Sequence, residues 1–171
     1  MKTTQLRPSQ IIALNDYPLY SNRVLSAYVE RCRTGEALPF VPVIGKGIVR
    51  RHFGAALSRT FAGFEAQHSE AAFFLLDGSH RTTALTLVGR DIGAAIYETD
   101  GDIDEARRLI ATGQILPNAT LDHTLEENCE ILNQYFVERP YFMTVRHKTE
   151  KMVREALIPG LGQFNFSSSG K

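Results

Sequence analysis

The chain has no tryptophan, two cysteines and three methionines among its 171 residues, and no excess of either charge. Each shortage excludes something. Cys32 and Cys129 are far apart and in no paired motif, which argues against a disulfide framework or a cysteine metal centre. Both fall on apolar helical positions and read as buried free thiols. The five histidines show no ligand spacing. Lys+Arg and Asp+Glu both number 19, so the formal net charge is zero and general nucleic-acid binding gains no support. No apolar run reaches membrane-spanning length, and Met1-Lys2-Thr3-Thr4-Gln5 has no signal-peptide core. The expectation is a cytoplasmic protein with no membrane partner. There is no P-loop, no G-x-G-x-x-G and no internal repeat.

What is present centres on one stretch, Phe73-Phe74-Leu75-Leu76-Asp77-Gly78-Ser79-His80-Arg81-Thr82-Thr83-Ala84-Leu85. Ala71 to Leu76 is an apolar run of strand length that ends in the turn signal Asp-Gly. Ser79 suits a helix N-cap, and Ala84, Leu85, Leu87 and Val88 supply an apolar helical face that stops at Gly89. Such a helix opens with His80 and Arg81 in its first turn. Unpaired amides, the positive end of the dipole, a hydroxyl, an imidazole and a guanidinium then meet at one point, which suits a phosphate. The same residues also suit a purely structural corner. Arg81 opposes the dipole at that position and calls for some other partner.

Around this corner the pattern is mixed α/β. Arg7 to Leu14 is a short apolar element, and Val24, Leu25, Tyr28, Val29 and Cys32 form one face of a helix that starts at Ser21 or Asn22 and ends at Gly35. Val41 to Ile44 reads as a strand, which Pro39 and Pro42 place at an edge or a bulge. Gly93 to Glu98 reads as another strand. Residues 46–70 either extend the sheet or form a helical insertion, and Arg50, Arg51, His52 and Arg59 within them read as a solvated face. Asp102 with Glu105, and Thr124 with Glu127, are capping-box patterns. The second opens a helix with the stripe Leu125, Cys129, Leu132 and Phe136, stopped by Arg139-Pro140. A last helix spans about Thr144 to Leu157, followed by a frayed tail, Ser167 to Lys171. Arg146, His147, Lys148, Lys151 and Arg154 give that helix positive charge, which Glu150 and Glu155 dilute. Packing fits it better than DNA contact.

The order of these elements, with Leu6-Arg7-Pro8-Ser9-Gln10-Ile11, Leu38 to Ile44 and the Asp77-Gly78-Ser79-His80-Arg81 loop, resembles the ParB/sulfiredoxin superfamily over about residues 3–98. The resemblance implies a compact α/β (α+β) domain at 1–113, with the insertion at 46–70, and a helical C-terminal extension at 114–171. It also implies a signature loop that binds nucleotide phosphates. Fold alone does not fix the chemistry. Sulfiredoxins carry a reactive cysteine where Ser79 stands, so reduction of sulfinic acid is disfavoured. ParB proteins carry glycine-glutamate-arginine-arginine and bind cytidine triphosphate, which leaves a nucleotide-dependent DNA-binding or regulatory protein as the alternative. The free-serine kinases, with a loop close to aspartate-glycine-histidine-histidine-arginine, resemble this one best. Their acidic N-terminal residue corresponds to Asp16, one methylene shorter than the glutamate those kinases use.

The resemblance therefore implies a nucleotide-binding protein that passes phosphate from ATP or ADP to a small hydroxyl substrate such as serine. Gly78, Ser79, His80, Arg81 and Thr82 would hold the phosphates, and Asp77 would ligate Mg²⁺ accompanying ATP, ADP or CTP. Asp16 and His80 would be catalytic. Asp16 also suits an Asx-turn before Pro18. Replacing Arg81 by Ala is expected to remove nucleotide binding and leave the fold intact.

Overall fold

The computed structural model describes residues 1–19 and 21–158, so the tail Ser167 to Lys171 lies outside the described residues. Among the described residues five strands, β1 (Lys2–Leu6), β2 (Ile11–Ile12), β3 (Val41–Gly45), β4 (Phe73–Leu75) and β5 (Ile92–Tyr97), form one mixed sheet in the order β1-β5-β3-β4-β2. β3 runs parallel to β5 and antiparallel to β4, while β1 is antiparallel to β5 and β2 parallel to β4. The architecture is the expected mixed α/β one, with a different strand inventory. β1 is a strand although Leu6 is its one aliphatic residue. It sits at the sheet edge, where its exposed Lys2, Thr3 and Gln5 carry no apolar alternation to read.

The prolines do not put β3 at an edge; it is the central strand. Pro42 pairs in parallel register with Ala95 of β5. On the β4 side its carbonyl accepts the Leu76 N–H at 3.0 Å, one residue beyond the β4 ladder. The N–H that proline lacks therefore falls where that ladder has already ended.

Helices α1 (Asn22–Arg33), α2 (Lys46–Val49), α3 (Ala55–Gln67), α4 (Ser79–Leu87), α5 (Asp100–Leu109), α6 (Leu125–Glu138) and α7 (Val145–Arg154) cover both faces of the sheet. Alternate strand residues sort the core into two clusters. Val41, Val43, Leu75 and Ala94 pack with Leu25 and Val29 of α1, Leu85 of α4, and Val145 and Met152 of α7. Ile44, Phe74, Ala95 and Tyr97 pack with Phe61 of α3, Ile103 of α5 and Phe136 of α6. Residues on both sides of position 114 thus contribute to both clusters.

Residues 46–70 are largely helical and pack on the α3–α6 face of the sheet. Phe61, Phe136 and Phe142 hold that layer together, with Phe136 stacked on Phe142 at 4.7 Å between ring centres. Thr124 and Glu127 form the expected box at α6. The other box is formed by Thr99 and Asp102 instead of Asp102 and Glu105, because α5 begins three residues earlier than the pattern suggests. Cys32 and Cys129 are buried free thiols. No helix among the described residues is long and apolar enough to cross a membrane.

Candidate functional site

β4 leaves the sheet at Leu75 and turns through Leu76, Asp77 and Gly78 into α4. Gly78 takes φ +104°, and a Cβ there would stand 2.6 Å from Cγ1 of Val41 and 3.0 Å from Nη2 of Arg81. Only glycine fits. Gly78 is therefore the N-cap and Ser79 the first helical residue, which corrects the assignment of Ser79 as cap. Among the described residues no side chain caps this end, so the Ser79 and Arg81 amides have no partner from the helix or from a cap.

The Ser79 hydroxyl instead donates to Oδ1 of Asp16, at 3.0 Å. Asp16 lies in the connection between β2 and α1, so the structure brings it to the corner that the sequence singled out. A third participant was missed. Lys148 of α7 is 2% exposed, and its Nζ donates to the Leu14 carbonyl at 2.9 Å and to the same Oδ1 of Asp16. Counted in the sequence among the positive charges of a helix better suited to packing than to DNA contact, it is turned inward. Its place on the stripe Val145, Lys148, Thr149, Met152 was the available signal. Burial presses the Lys148 ammonium below its ordinary value, and Asp16 pulls it back up.

Arg81 has the other partner its position demands. Nη1 donates to the Phe40 carbonyl at 2.8 Å and to that of Pro39 at 3.2 Å, and Nη2 donates to Oδ2 of Asp77 at 2.8 Å. At 3% exposure this guanidinium ties the loop before β3 to the corner. Arg81 is thus a structural clamp that also lines the cavity, and its removal should destabilise the chain, against the expectation of an unaffected fold. Burial lowers its pKa, against the pull of Asp77.

His80 is 7% exposed and lines the cavity in front of the corner. Burial holds its imidazole below the ordinary value, opposed by the charge of Asp16, so the neutral form is favoured at pH 7. Thr82 lies deeper. Its hydroxyl donates to the Ser79 carbonyl at 3.1 Å, and it is not among the cavity's lining residues. The cavity has a volume of about 210 Å³; Asp16 and Asp77 to Arg81 line it, walled by Val24, Tyr28, Leu116 and Pro117.

The charges are layered. The cations Arg81 and Lys148 are buried behind the corner, whereas the carboxylate side chains of Asp77 and Asp16 are 42% and 36% exposed. Open amides beside two part-exposed carboxylates complement a cation with its phosphate better than a bare anion. The donor set fits Mg²⁺, which takes one or two carboxylates and fills its other positions with phosphate oxygens and water. Among the described residues no three His, Cys, Asp or Glu side chains group into an all-protein metal cage. Comparison with protein-family models, with curated proteins and with solved structures gives no match.

Proposed function

We propose that this chain binds the phosphates of a Mg²⁺-bound nucleotide at the opening of α4 and passes a phosphoryl group from ATP or ADP to a small hydroxyl substrate such as serine. The observation that supports this reading is that the Asp16 carboxylate shares one cavity with the open amides of α4 and with Asp77. Phosphoryl transfer asks for positioning and charge stabilisation and for little covalent help from the protein. Asp16 takes the proton of the acceptor hydroxyl as its oxygen bonds to the terminal phosphorus. The bond from that phosphorus to the bridging oxygen breaks, and its electron pair leaves with ADP or AMP. The amides of Ser79 and Arg81 receive phosphate oxygens, whereas the one ring N–H of neutral His80 is taken by the Ser21 backbone, which corrects its reading as a catalytic donor. Asp77 would hold Mg²⁺, which when bound neutralises charge on the phosphates.

A cavity of about 210 Å³ suits a phosphoryl group, a metal ion and a small acceptor. It is below the roughly 300–1,000 Å³ of pockets that engulf a whole drug-sized ligand, so the nucleoside stays outside it.

Thermal shift with ATP, ADP and CTP, each with Mg²⁺, tests binding. A nucleotide at a hundred times its Kd should stabilise the chain by about 2.7 kcal/mol. Transfer is read from phosphoserine in the ³¹P NMR spectrum. No shift with any nucleotide overturns the reading. A shift without transfer to serine or another hydroxyl replaces it with nucleotide binding that serves regulation.

A further inference from the structure

The buried face of α7 is formed by Val145, Lys148, Thr149 and Met152. A lysine on such a stripe is out of keeping with its aliphatic neighbours, because an ammonium leaves water unfavourably unless partners replace its hydration. The partners of Lys148 are the Leu14 carbonyl and Oδ1 of Asp16. Lys148 is not among the residues lining the cavity. It stands behind a carboxylate that does.

Ser79 donates to the same Oδ1 from the other side, at 3.0 Å. Two donors, each less than a tenth exposed, converge on one oxygen and remove the rotational freedom of the carboxylate. The Asp16 side chain nevertheless stays 36% exposed and lines the cavity, which leaves Oδ2 as the oxygen not held by these two donors. An aliphatic residue at position 148 would suit the stripe better and would strand no charge, because Asp16 is open to water. Stability does not account for the lysine; the geometry of Asp16 does.

We infer that Lys148 is a positioning residue, which fixes Asp16 with one oxygen toward the cavity and makes α7 part of the site. Its effect on catalysis rests on the reading of Asp16 as the base. Crystal structures of the wild-type chain and of K148M test the positioning without any activity. In K148M, α7 should stay docked while the Asp16 side chain leaves the Ser79 hydroxyl for solvent. An Asp16 that superposes on the wild-type one overturns the inference, and so does a displaced α7, which would make the lysine a packing element. K148R, which keeps a cation there, should retain the contact with Asp16.

With Mg²⁺-ATP and serine, K148M should lower kcat by about tenfold or more and leave KM for ATP within about twofold, since Lys148 touches neither substrate. An unchanged kcat, or an equal loss in both constants, overturns it. A wild-type chain that neither binds nucleotide nor turns over removes the proposed function, and the crystal comparison then decides the positioning on its own.

Discussion

The Ser79 hydroxyl and Oδ1 of Asp16, 63 positions apart in the sequence, meet at 3.0 Å. The contact joins the segment before α1 to the first turn of α4. Lys148 closes it from behind, so three distant parts of the chain agree on the placement of one carboxylate. The Asp16 side chain is 36% exposed and that of Lys148 3%, and that inequality within the pair has measurable consequences.

Asp16→Asn leaves the 2%-exposed Lys148 ammonium without its counter-charge. A loss of about 2–4 kcal/mol is expected, in line with the breaking of other buried pairs. Lys148→Met leaves a carboxylate that water can reach and should stay within about 1 kcal/mol of wild type. Urea unfolding compares the two, and equal losses would contradict the asymmetry.

Gly78→Ala must hold a side chain at φ +104° with its Cβ 2.6 Å from Val41. Backbone strain and overpacking together predict a loss of about 2–4 kcal/mol. Thermal unfolding should show it, whereas the same substitution at Gly47, where nothing lies within 4 Å, should cost far less.

Arg81→Ala removes the donors to Pro39, Phe40 and Asp77 from a buried position. Stranding the two carbonyls should destabilise the chain by about 2–4 kcal/mol. A variant as stable as wild type would show that the clamp is dispensable, and would return Arg81 to a pure ligand role.

His80 and His68 are both held below the ordinary histidine value, chiefly by burial. The unfolded chain binds protons more readily at both, so their contribution is fully present above about pH 6.5 and is lost as the pH falls through their lower folded values. Stability should therefore drop as the pH falls below about 6.5, with a slope of at most about 1.4 kcal/mol per pH unit for each histidine. Denaturant titrations across this range should show a shallower slope for His80→Gln. An identical slope would mean that His80 does not titrate on unfolding.

Tyr97 is fully buried, and its hydroxyl has no hydrogen-bond partner among the described residues. Burial pushes its pKa up to about 12. Tyr97→Phe should keep stability or raise it by about 1 kcal/mol, because it deletes an unsatisfied polar group without opening a cavity. A clear loss in Tm would reveal a partner for that hydroxyl.

The corner was legible because its information is local: an apolar run, Asp-Gly, and a helical face that follows at once. The α1 and α6 stripes were readable for the same reason. β1 was not, since an edge strand of Lys, Thr and Gln carries no period-two pattern. The central place of β3 was hidden by Pro42, whose compatibility depends on where β4 stops. Lys148 shows the harder limit. Its charge suggested a surface, and only the packing of α7 against α4 reveals that it faces a carboxylate more than a hundred residues away.

All nine residues of α4 are buried, so this helix presents only its tip to anything outside. Altering the tip means rebuilding the interior, which leaves little room for new chemistry there. The surrounding rim is different: Val24 and Tyr28 come from α1, and Leu116 and Pro117 from the segment between α5 and α6. A search for altered ligand preference of this cavity should therefore randomise the rim and leave Gly78 and Arg81 alone.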